Sequence, residues 1–285
     1  MKINDLIKKF KLKSKIKNNF EIRNFSSLDI IKNNSIFFYE NNDLNFLKKK
    51  LRKNKNGVVI LNKKLYKSYF SNKILSTNPR YTFFKICDFL TKKKVVKEKF
   101  LNKKKIGKNC VIDNSAKIGK NVQVGNNVKI GANTIINNCS ISDNTIISDN
   151  CVIGNTGFGF IKYKKKIFTN NHYGNVEIKK NVFIGPFTNI ERGHIDDTLL
   201  KDNVKIDAFV QIGHNSVIDT GTFVTAGTIV SGNVRVGKNV WIGPKSSIKE
   251  KTIIGNNCLI GIGSNVVSNL KSGKTYYGNP AKIKK

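Results

Sequence analysis

Histidine is the side chain best suited to accept and return a proton near neutral pH, and this 285-residue chain has three of them. His214 stands in the pentapeptide Gln-Ile-Gly-His-Asn, residues 211–215, and is a candidate general base. His194 could approach a site, although nothing fixes its role. His172 lies in an irregular stretch near three consecutive lysines, and we expect it to be exposed to solvent.

The three imidazoles could instead hold a metal ion, since zinc sites built from three histidines exist. Such a site in this kind of fold needs three imidazoles at fixed positions across a subunit interface. The sequence places no closely spaced histidine pair around His214, and His172 is in an irregular stretch. We therefore predict no metal site.

A six-residue repeat of aliphatic side chains must position His214. Period six fits neither a helix nor an ordinary strand, but it is typical of hexapeptide β-helices, in which each six-residue face points one aliphatic side chain inward. The main run is Leu200, Ile206, Ile212, Ile218, Val224, Val230, Val236, Ile242, Ile248, Ile254, Ile260 and Val266. Earlier members are Ile106, Ile112, Ile118, Val124, Ile130 and Ile136, then after a one-residue slip Ile141, Ile147 and Ile153, then Ile178, Ile184 and Ile190.

Three such faces form a coil of about 18 residues, and the coils stack like neighbouring β-strands. Gly232 follows His214 by one coil, so it should lie directly beside it. A glycine N–H at that place is suited to stabilise a developing oxyanion. The Gly-Asn-Asn and Gly-Lys-Asn tripeptides after inward residues are expected to form corners, where positive φ is tolerated.

Two interruptions break the rhythm, at residues 155–175 and 191–197. The first contains the tetrapeptide Gly-Phe-Gly-Phe at 157–160. In a stacked fold, insertions become loops at one edge, where binding sites commonly lie.

The first hundred residues lack period six and indicate a separate α/β unit. Ile3, Leu6, Ile7 and Phe10 have helical spacing, residues 35–39 and 57–61 are apolar runs suited to strands, and Asn78-Pro79 indicates a turn before a helix. We therefore predict an α/β domain at 1–100, a β-helix at 101–270 and a short tail at 271–285, with a lysine-rich linker at 92–105.

Composition limits the cellular setting and the partners. The five cysteines are scattered without a C-x-x-C pair, which is typical of small buried residues in a reducing compartment. No segment resembles a signal peptide or a membrane span, so we predict a cytoplasmic protein. The net charge of +34 is spread over the whole chain without a nucleic-acid-binding motif. We therefore predict no nucleic-acid partner, although a basic surface would attract an acidic carrier protein or a nucleotide diphosphate.

Several segments, in order and spacing, resemble the UDP-3-O-acylglucosamine N-acyltransferase family of lipid A biosynthesis. They are residues 154–160, 190–198, 205–208 and 211–215, with residues 35–38 and 78–83 similar to the family's uridine-binding domain. The resemblance implies a mainly β fold, a left-handed parallel β-helix of hexapeptide repeats preceded by a small α/β domain. It also implies a homotrimer with active sites between neighbouring prisms.

The resemblance implies roles for individual residues. His214 matches the catalytic base, Gly232 the oxyanion-hole glycine, Phe38 the aromatic ring that stacks on uracil and Asn41 the asparagine beside it. The implied reaction moves a 3-hydroxyacyl group to the 2-amino group of UDP-3-O-acylglucosamine. Its donor is a thioester on the phosphopantetheine of acyl carrier protein or on CoA, and no further cofactor is implied.

Departures from the family leave alternatives open. Lys251 stands where the family has a second histidine and could hold a substrate phosphate, and Leu44 replaces an aromatic partner of Phe38. Residues 276–282 resemble the ending of sugar acetyltransferases that use acetyl-CoA, without the helical extension that engages acyl carrier protein. One alternative is therefore a nucleotide-sugar N-acetyltransferase of surface-polysaccharide synthesis, and another is a non-catalytic scaffold or basic binding protein.

Overall fold

The computed structural model describes residues 1–51, 57–65, 67–68, 70–92, 105–119 and 121–284. Contacts divide the chain into two compact units. The first comprises Met1–Lys99 with Phe158–Asn171, and the second comprises Phe100–Gly157 with His172–Lys285. Residues 93–104 of the predicted linker lie outside the described part of the chain. Among the described residues, none of the helices has the length and apolar character needed to cross a bilayer.

The first unit is a five-stranded sheet with helices. Its sheet has the order β1-β5-β4-β3-β2, in which β1 runs antiparallel to β5 and the other neighbours are parallel. The elements are α1 (Ile3–Phe10), β1 (Lys13–Ile16), β2 (Asn24–Phe25), β3 (Ser35–Phe38), α2 (Leu44–Leu51), β4 (Gly57–Asn62), a 3₁₀ turn (Lys63–Leu65), β5 (Asn72–Ser76) and α3 (Pro79–Lys92).

Local sequence explains these elements. Asn78 caps α3, because its Oδ1 accepts a hydrogen bond from the backbone N–H of Tyr81 at 2.8 Å, and Pro79 occupies the first helical position. The apolar centres of β3 and β4 and one face of α3 are buried. The predicted N-terminal helix, the two predicted strands and the helix after Asn78-Pro79 are all present in the structure.

The first interruption of the repeat forms a hairpin that belongs to this α/β unit. Its strands, Phe160–Tyr163 and Lys166–Thr169, pair antiparallel. The rings of Tyr163 and Phe168 lie 4.7 and 4.8 Å from the ring of Tyr81 in α3. The hairpin therefore packs on α3 through aromatic contacts, where the sequence predicted a loop at the edge of the β-helix.

The second unit is a parallel β-helix with three sheets, one for each face of the coil. Within every sheet, neighbouring strands come from successive coils, and their inward residues are in register. The first sheet comprises Val111–Ile112, Lys129–Ile130, Ile146–Ile147, Phe183–Ile184, Lys205–Ile206, Phe223–Val224, Trp241–Ile242, Leu259–Ile260, Thr275–Tyr277 and the antiparallel Lys282–Ile283. The second sheet comprises Lys117–Ile118, Ile135–Ile136, Val152–Asn155, Asn189–Glu191, Gln211–Ile212, Ile229–Val230, Ser247–Ile248 and Asn265–Val266. The third sheet comprises Lys105–Ile106, Val122–Val124, Cys139–Ile141, Val176–Ile178, Thr198–Leu200, Val217–Ile218, Arg235–Val236 and Ile253–Ile254.

The predicted inward side chains fill the core of the β-helix from Val124 to Val266. Ile106, in the first described coil, is 41% exposed because a coil at the end of a stack has one neighbour. A second buried series, two residues before each inward aliphatic, was not predicted. It consists of small residues such as Val210, Ser216 and Thr222. Its hydroxyls donate to backbone carbonyls at the corners, as Thr222 Oγ1 does to Gly237 at 2.8 Å.

Asparagine and glycine have different roles at the corners. In the predicted corner tripeptides, Asn127 and Asn239 adopt positive φ, at 56° and 53°. The glycine of each tripeptide does not. A Cβ on Gly237 would lie 2.7 Å from the backbone nitrogen of Asn256 in the next coil. The glycines are therefore needed for close approach between coils, and asparagine provides the positive φ that was expected at these corners.

Candidate active site

The register of the second sheet places three predicted site residues in one column. Ile212 pairs with Val230, and Val230 pairs with Ile248, so the corners that follow these residues stack on one another. The backbone N–H of Asn233 donates to the carbonyl of His214 at 2.8 Å, and that of Lys251 donates to the carbonyl of Gly232 at 3.1 Å. The structure therefore brings His214, Gly232 and Lys251 together on consecutive coils.

The imidazole of His214 faces the backbone of Gly232. A Cβ added to Gly232 would lie 2.7 Å from Nε2 and 2.8 Å from Cε1 of His214, closer than side-chain atoms approach without movement. His214 itself is half-buried. Glycine is thus the residue that lets this imidazole lie directly against the backbone of the neighbouring coil.

The N–H of Gly232 is available to a ligand. At a comparable corner, the N–H of Lys238 donates to Oδ1 of Asn256, which lies one coil further on, at 2.9 Å. The residue one coil after Gly232 is Glu250, whose Oε1 lies instead 3.7 Å from Nζ of Lys251. Within the described part of the chain, the Gly232 N–H has no hydrogen-bond acceptor. It is the kind of backbone donor that oxyanion holes use.

Asn215 sets the tautomer of His214. Its Oδ1 accepts a hydrogen bond from the backbone N–H of His194 at 2.9 Å, and its Nδ2 donates to the carbonyl of Asp196 at 2.8 Å. These two bonds fix the orientation of the amide. The same Oδ1 lies 3.1 Å from Nδ1 of His214 and can only accept, so Nδ1 carries the proton. The lone pair is therefore on Nε2, the atom that faces Gly232.

Glu191 supports the same corner from the preceding coil. Its Oε2 accepts a hydrogen bond from the backbone N–H of His214 at 3.1 Å, and its Oε1 accepts one from Nε2 of Gln211 at 3.1 Å. A Cβ on Gly157 would overlap this carboxylate, so the start of the first interruption passes close beside it. Neither Glu191 nor Asn215 was predicted as a site residue, although both lie in the motifs that carry the family resemblance.

His172 and His194 also lie beside His214, which corrects two expectations. His172 is 5% exposed, so the prediction of a solvent-exposed loop residue is wrong. The ring centroids of His172 and His194 are 3.7 Å apart, those of His194 and His214 4.2 Å, and those of His172 and His214 5.5 Å. The prediction of no metal site assumed that no histidines lie close to His214, and that assumption is also wrong.

Backbone pairing brings these histidines together. The N–H of Tyr173 donates to the carbonyl of His194 at 2.8 Å, and the N–H of Gly174 donates to that of Gly193 at 2.9 Å. Burial is the main cause that lowers the pKa of His172 to about 3. The electrostatic interactions with His214 and with the positively charged Arg192 lower it further. His172 is consequently a neutral imidazole at physiological pH.

The remaining predicted site residues have different surroundings. Lys251 is 73% exposed and has a φ of 62°. Phe38 and Asn41 lie in the first unit. Phe38 ends β3 half-buried, with its ring 5.1 Å from that of Phe83, and Asn41 is exposed. An exposed asparagine after a half-buried aromatic ring is compatible with a binding surface.

Comparison with known proteins supports the resemblance in part of the chain. The bacterial transferase hexapeptide (six repeats) model matches residues 233–267, and the GMPPB C-terminal domain model matches residues 100–162. A UDP-3-O-acylglucosamine N-acyltransferase of Rickettsia conorii is 45% identical over 74 residues, which are 26% of this chain and 21% of that protein. UDP-3-O-acylglucosamine N-acyltransferase 1 of Sulfurimonas denitrificans is 46% identical over 78 residues, 26% of this chain and 24% of that protein. The chain thus matches between a fifth and a quarter of the length of these curated relatives.

Solved structures support the fold. The UDP-N-acetylglucosamine acyltransferase from Campylobacter jejuni has a TM-score of 0.58 at 24% identity, and the likeness covers 65% of this chain and 71% of that one. A second UDP-N-acetylglucosamine acyltransferase structure has a TM-score of 0.50 at 24% identity, covering 65% and 73%. The predicted left-handed parallel β-helix of hexapeptide repeats is confirmed.

Proposed function

We propose that this protein is an N-acyltransferase of lipid A biosynthesis that works in the cytoplasm. It would move a 3-hydroxyacyl group from an acyl carrier protein thioester to the 2-amino group of UDP-3-O-acylglucosamine. The observation that carries this proposal is the pair formed by His214 and Gly232, in which a nitrogen lone pair and an open N–H lie at one corner. The local identity of 45–47% to the named relatives supports the same substrate class.

His214 would act as the general base. The amine nitrogen of the sugar attacks the thioester carbonyl carbon, a C–N bond forms, and Nε2 of His214 takes the proton that the amine loses. The resulting imidazolium keeps its Nδ1–H on Asn215, so the ring does not turn during the transfer. When the C–S bond breaks, the same proton passes to the thiolate of the carrier. The acyl donor needs no cofactor other than its own phosphopantetheine.

The N–H of Gly232 would stabilise the oxyanion of the tetrahedral intermediate. Because this donor already lies beside the base and has no acceptor among the described residues, no hydrogen bond must break before it acts. The base and the N–H donor together would lower the activation barrier by on the order of 5 kcal/mol.

Other residues would bind the substrates. Phe38 would stack on uracil with Asn41 beside it, and the exposed ammonium of Lys251 would contact a substrate phosphate. The net charge of +34 favours association with an acidic carrier protein. We expect a homotrimer, because the outward side chains of the first sheet present an apolar stripe. Phe223, Trp241 and Leu259 are 42–46% exposed there.

An acyl-transfer assay tests the proposal. UDP-3-O-acylglucosamine is offered with 3-hydroxyacyl carrier protein and with acetyl-CoA in parallel, in the presence of a chelator. We expect transfer from the carrier protein and a 10²–10⁴-fold lower rate for His214→Ala. Transfer from acetyl-CoA alone would favour the nucleotide-sugar N-acetyltransferase. A rate unchanged by His214→Ala would remove the catalytic assignment and favour a non-catalytic binding role for this corner.

A further inference from the structure

The three histidines of the chain meet in one cluster, although they lie far apart in the sequence. Each of His172, His194 and His214 offers a ring nitrogen, and these nitrogens all lie within 4.8 Å of one another. His172 and His194 are 5% and 9% exposed, whereas His214 is half-buried. Solvent therefore reaches the cluster mainly at His214.

Hydrogen bonding does not account for the buried imidazole of His172. Both of its ring nitrogens are buried, and neither has a hydrogen-bond partner among the described residues. Buried polar atoms are normally paired, so two unpaired nitrogens on one ring that lies beside two other imidazoles require an explanation.

We propose that His172, His194 and His214 form a binding site for one divalent transition-metal ion of the zinc class. Three neutral imidazoles with an open fourth position are a recognised zinc donor set. His214 would bind through Nε2, because its Nδ1–H is held by Asn215, and an oxygen acceptor behind a ligand histidine is the usual second contact in such sites.

Small side-chain rotations would complete the geometry. Nitrogens that bind one tetrahedral zinc ion at about 2.0–2.1 Å lie about 3.4 Å from one another, so no separation must close by more than about 1.4 Å. The rings of His172 and His194 are stacked with 24° between their planes, and they must tilt until both lone pairs point at the ion. The segments that carry them are held to each other by backbone hydrogen bonds, so the adjustment falls on the side-chain torsions.

The charge around the cluster selects the class of ion. Arg192, whose Nε donates a hydrogen bond to the carbonyl of Gly174 two residues after His172, brings a positive charge near the cluster that opposes any dication. Ions that bind imidazole strongly, such as Zn²⁺, Ni²⁺ and Co²⁺, can overcome this repulsion, whereas Mg²⁺ and Ca²⁺ prefer oxygen ligands and should not bind.

The site has a consequence that rests on the proposed function. Nε2 of His214 cannot bind a metal ion and accept a proton at the same time. We therefore expect Zn²⁺ to inhibit acyl transfer and a chelator to restore it. Metal binding itself is measured without substrate, so failure of the site and failure of the proposed function remain distinguishable.

Titration with Co²⁺ tests the site. The full chain without a histidine tag is treated with chelator, dialysed and titrated, and the visible absorption of tetrahedral cobalt is followed. We expect one ion per chain, displacement by Zn²⁺, no response to Mg²⁺, and an affinity at least tenfold lower for His172→Asn and for His194→Asn. Circular dichroism confirms that each variant is folded. Cys110→Ser, which changes the one described cysteine that is not fully buried, is the matched control and should bind normally.

Three results would overturn the site: no cobalt absorption, binding that both histidine variants retain, or binding that Cys110→Ser abolishes. If Co²⁺ and Zn²⁺ bind as expected but transfer measured with chelator is absent, the metal site stands and the proposed function fails. If transfer is present and metal binding fails, the function stands alone. If acyl transfer continues with zinc bound, the expectation that the metal ion inhibits the enzyme is refuted.

Discussion

The substitution Gly232→Ala tests the geometry of the proposed site directly. The new Cβ would lie 2.7 Å from Nε2 of His214, whereas ordinary contacts begin near 3.5 Å. The imidazole must therefore move by about 0.8 Å, and the space between the base and the Gly232 N–H is filled. A displacement of about 1 Å at a catalytic group, or the loss of an oxyanion donor, lowers turnover about 10²–10³-fold.

The assay is steady-state acyl transfer at saturating substrate, which gives kcat. We expect kcat to fall 10²–10³-fold, which is about 2.7–4 kcal/mol. The matched control is Gly237→Ala, whose Cβ would lie 2.7 Å from the backbone nitrogen of Asn256 at a different corner. Both variants should lower the melting temperature, but Gly237→Ala should retain its kcat. A folded Gly232→Ala protein within threefold of the native kcat would refute the reasoning.

Three further predictions concern Asn215, Phe38 and the cysteines. Asn215→Ala removes the acceptor for Nδ1–H of His214, so kcat should fall tenfold or more. The loss of its hydrogen bonds to His194 and Asp196 should also lower the free energy of unfolding in urea by about 1–3 kcal/mol. Phe38→Ala should raise the KM for the UDP-sugar about tenfold with little change in kcat, because base stacking is ground-state binding, whereas the exposed Phe46→Ala should change neither. Iodoacetamide at pH 8 should label the native protein at Cys110 alone, because the other four cysteines are buried and burial raises the pKa values of the Cys87 and Cys139 thiols. Peptide mapping that finds Cys87 or Cys139 labelled would contradict their burial.

The period-six repeat was sufficient to predict the β-helix and the neighbourhood of His214 and Gly232. A side chain that returns at every sixth position has one consistent explanation, and the 18-residue separation follows from it. The second buried series was also visible in the sequence. From Ile112 onward, the positions two before the inward aliphatics hold small residues, for example Val234, Ser246 and Thr252. Serine and threonine are mostly exposed in folded proteins, so their presence at these positions did not indicate a second buried series.

The histidine cluster could not be predicted from the same arithmetic. Ile190 pairs with Ile212, which is 22 residues later, so the second interruption adds four residues to one coil. Those residues fold back, and the pairing of Gly193 with Gly174 brings His172 and His194 to the corner of His214. The path of an insertion depends on such backbone pairing and has no periodicity. The hairpin within residues 158–171 was not predicted either. Its position depends on side-chain packing within the α/β unit, which also has no periodicity.

The placement of His214 and Gly232 on consecutive coils determines which changes in chain length this architecture tolerates. Each coil contacts only its neighbours, so gain or loss of one whole coil outside residues 157–251 leaves the corner as it is. Loss of six residues between His214 and Gly232 would instead move the glycine to another face of the prism. Lineages of such chains are therefore free to lengthen or shorten in steps of one coil, while the stretch that holds the corner keeps a fixed length.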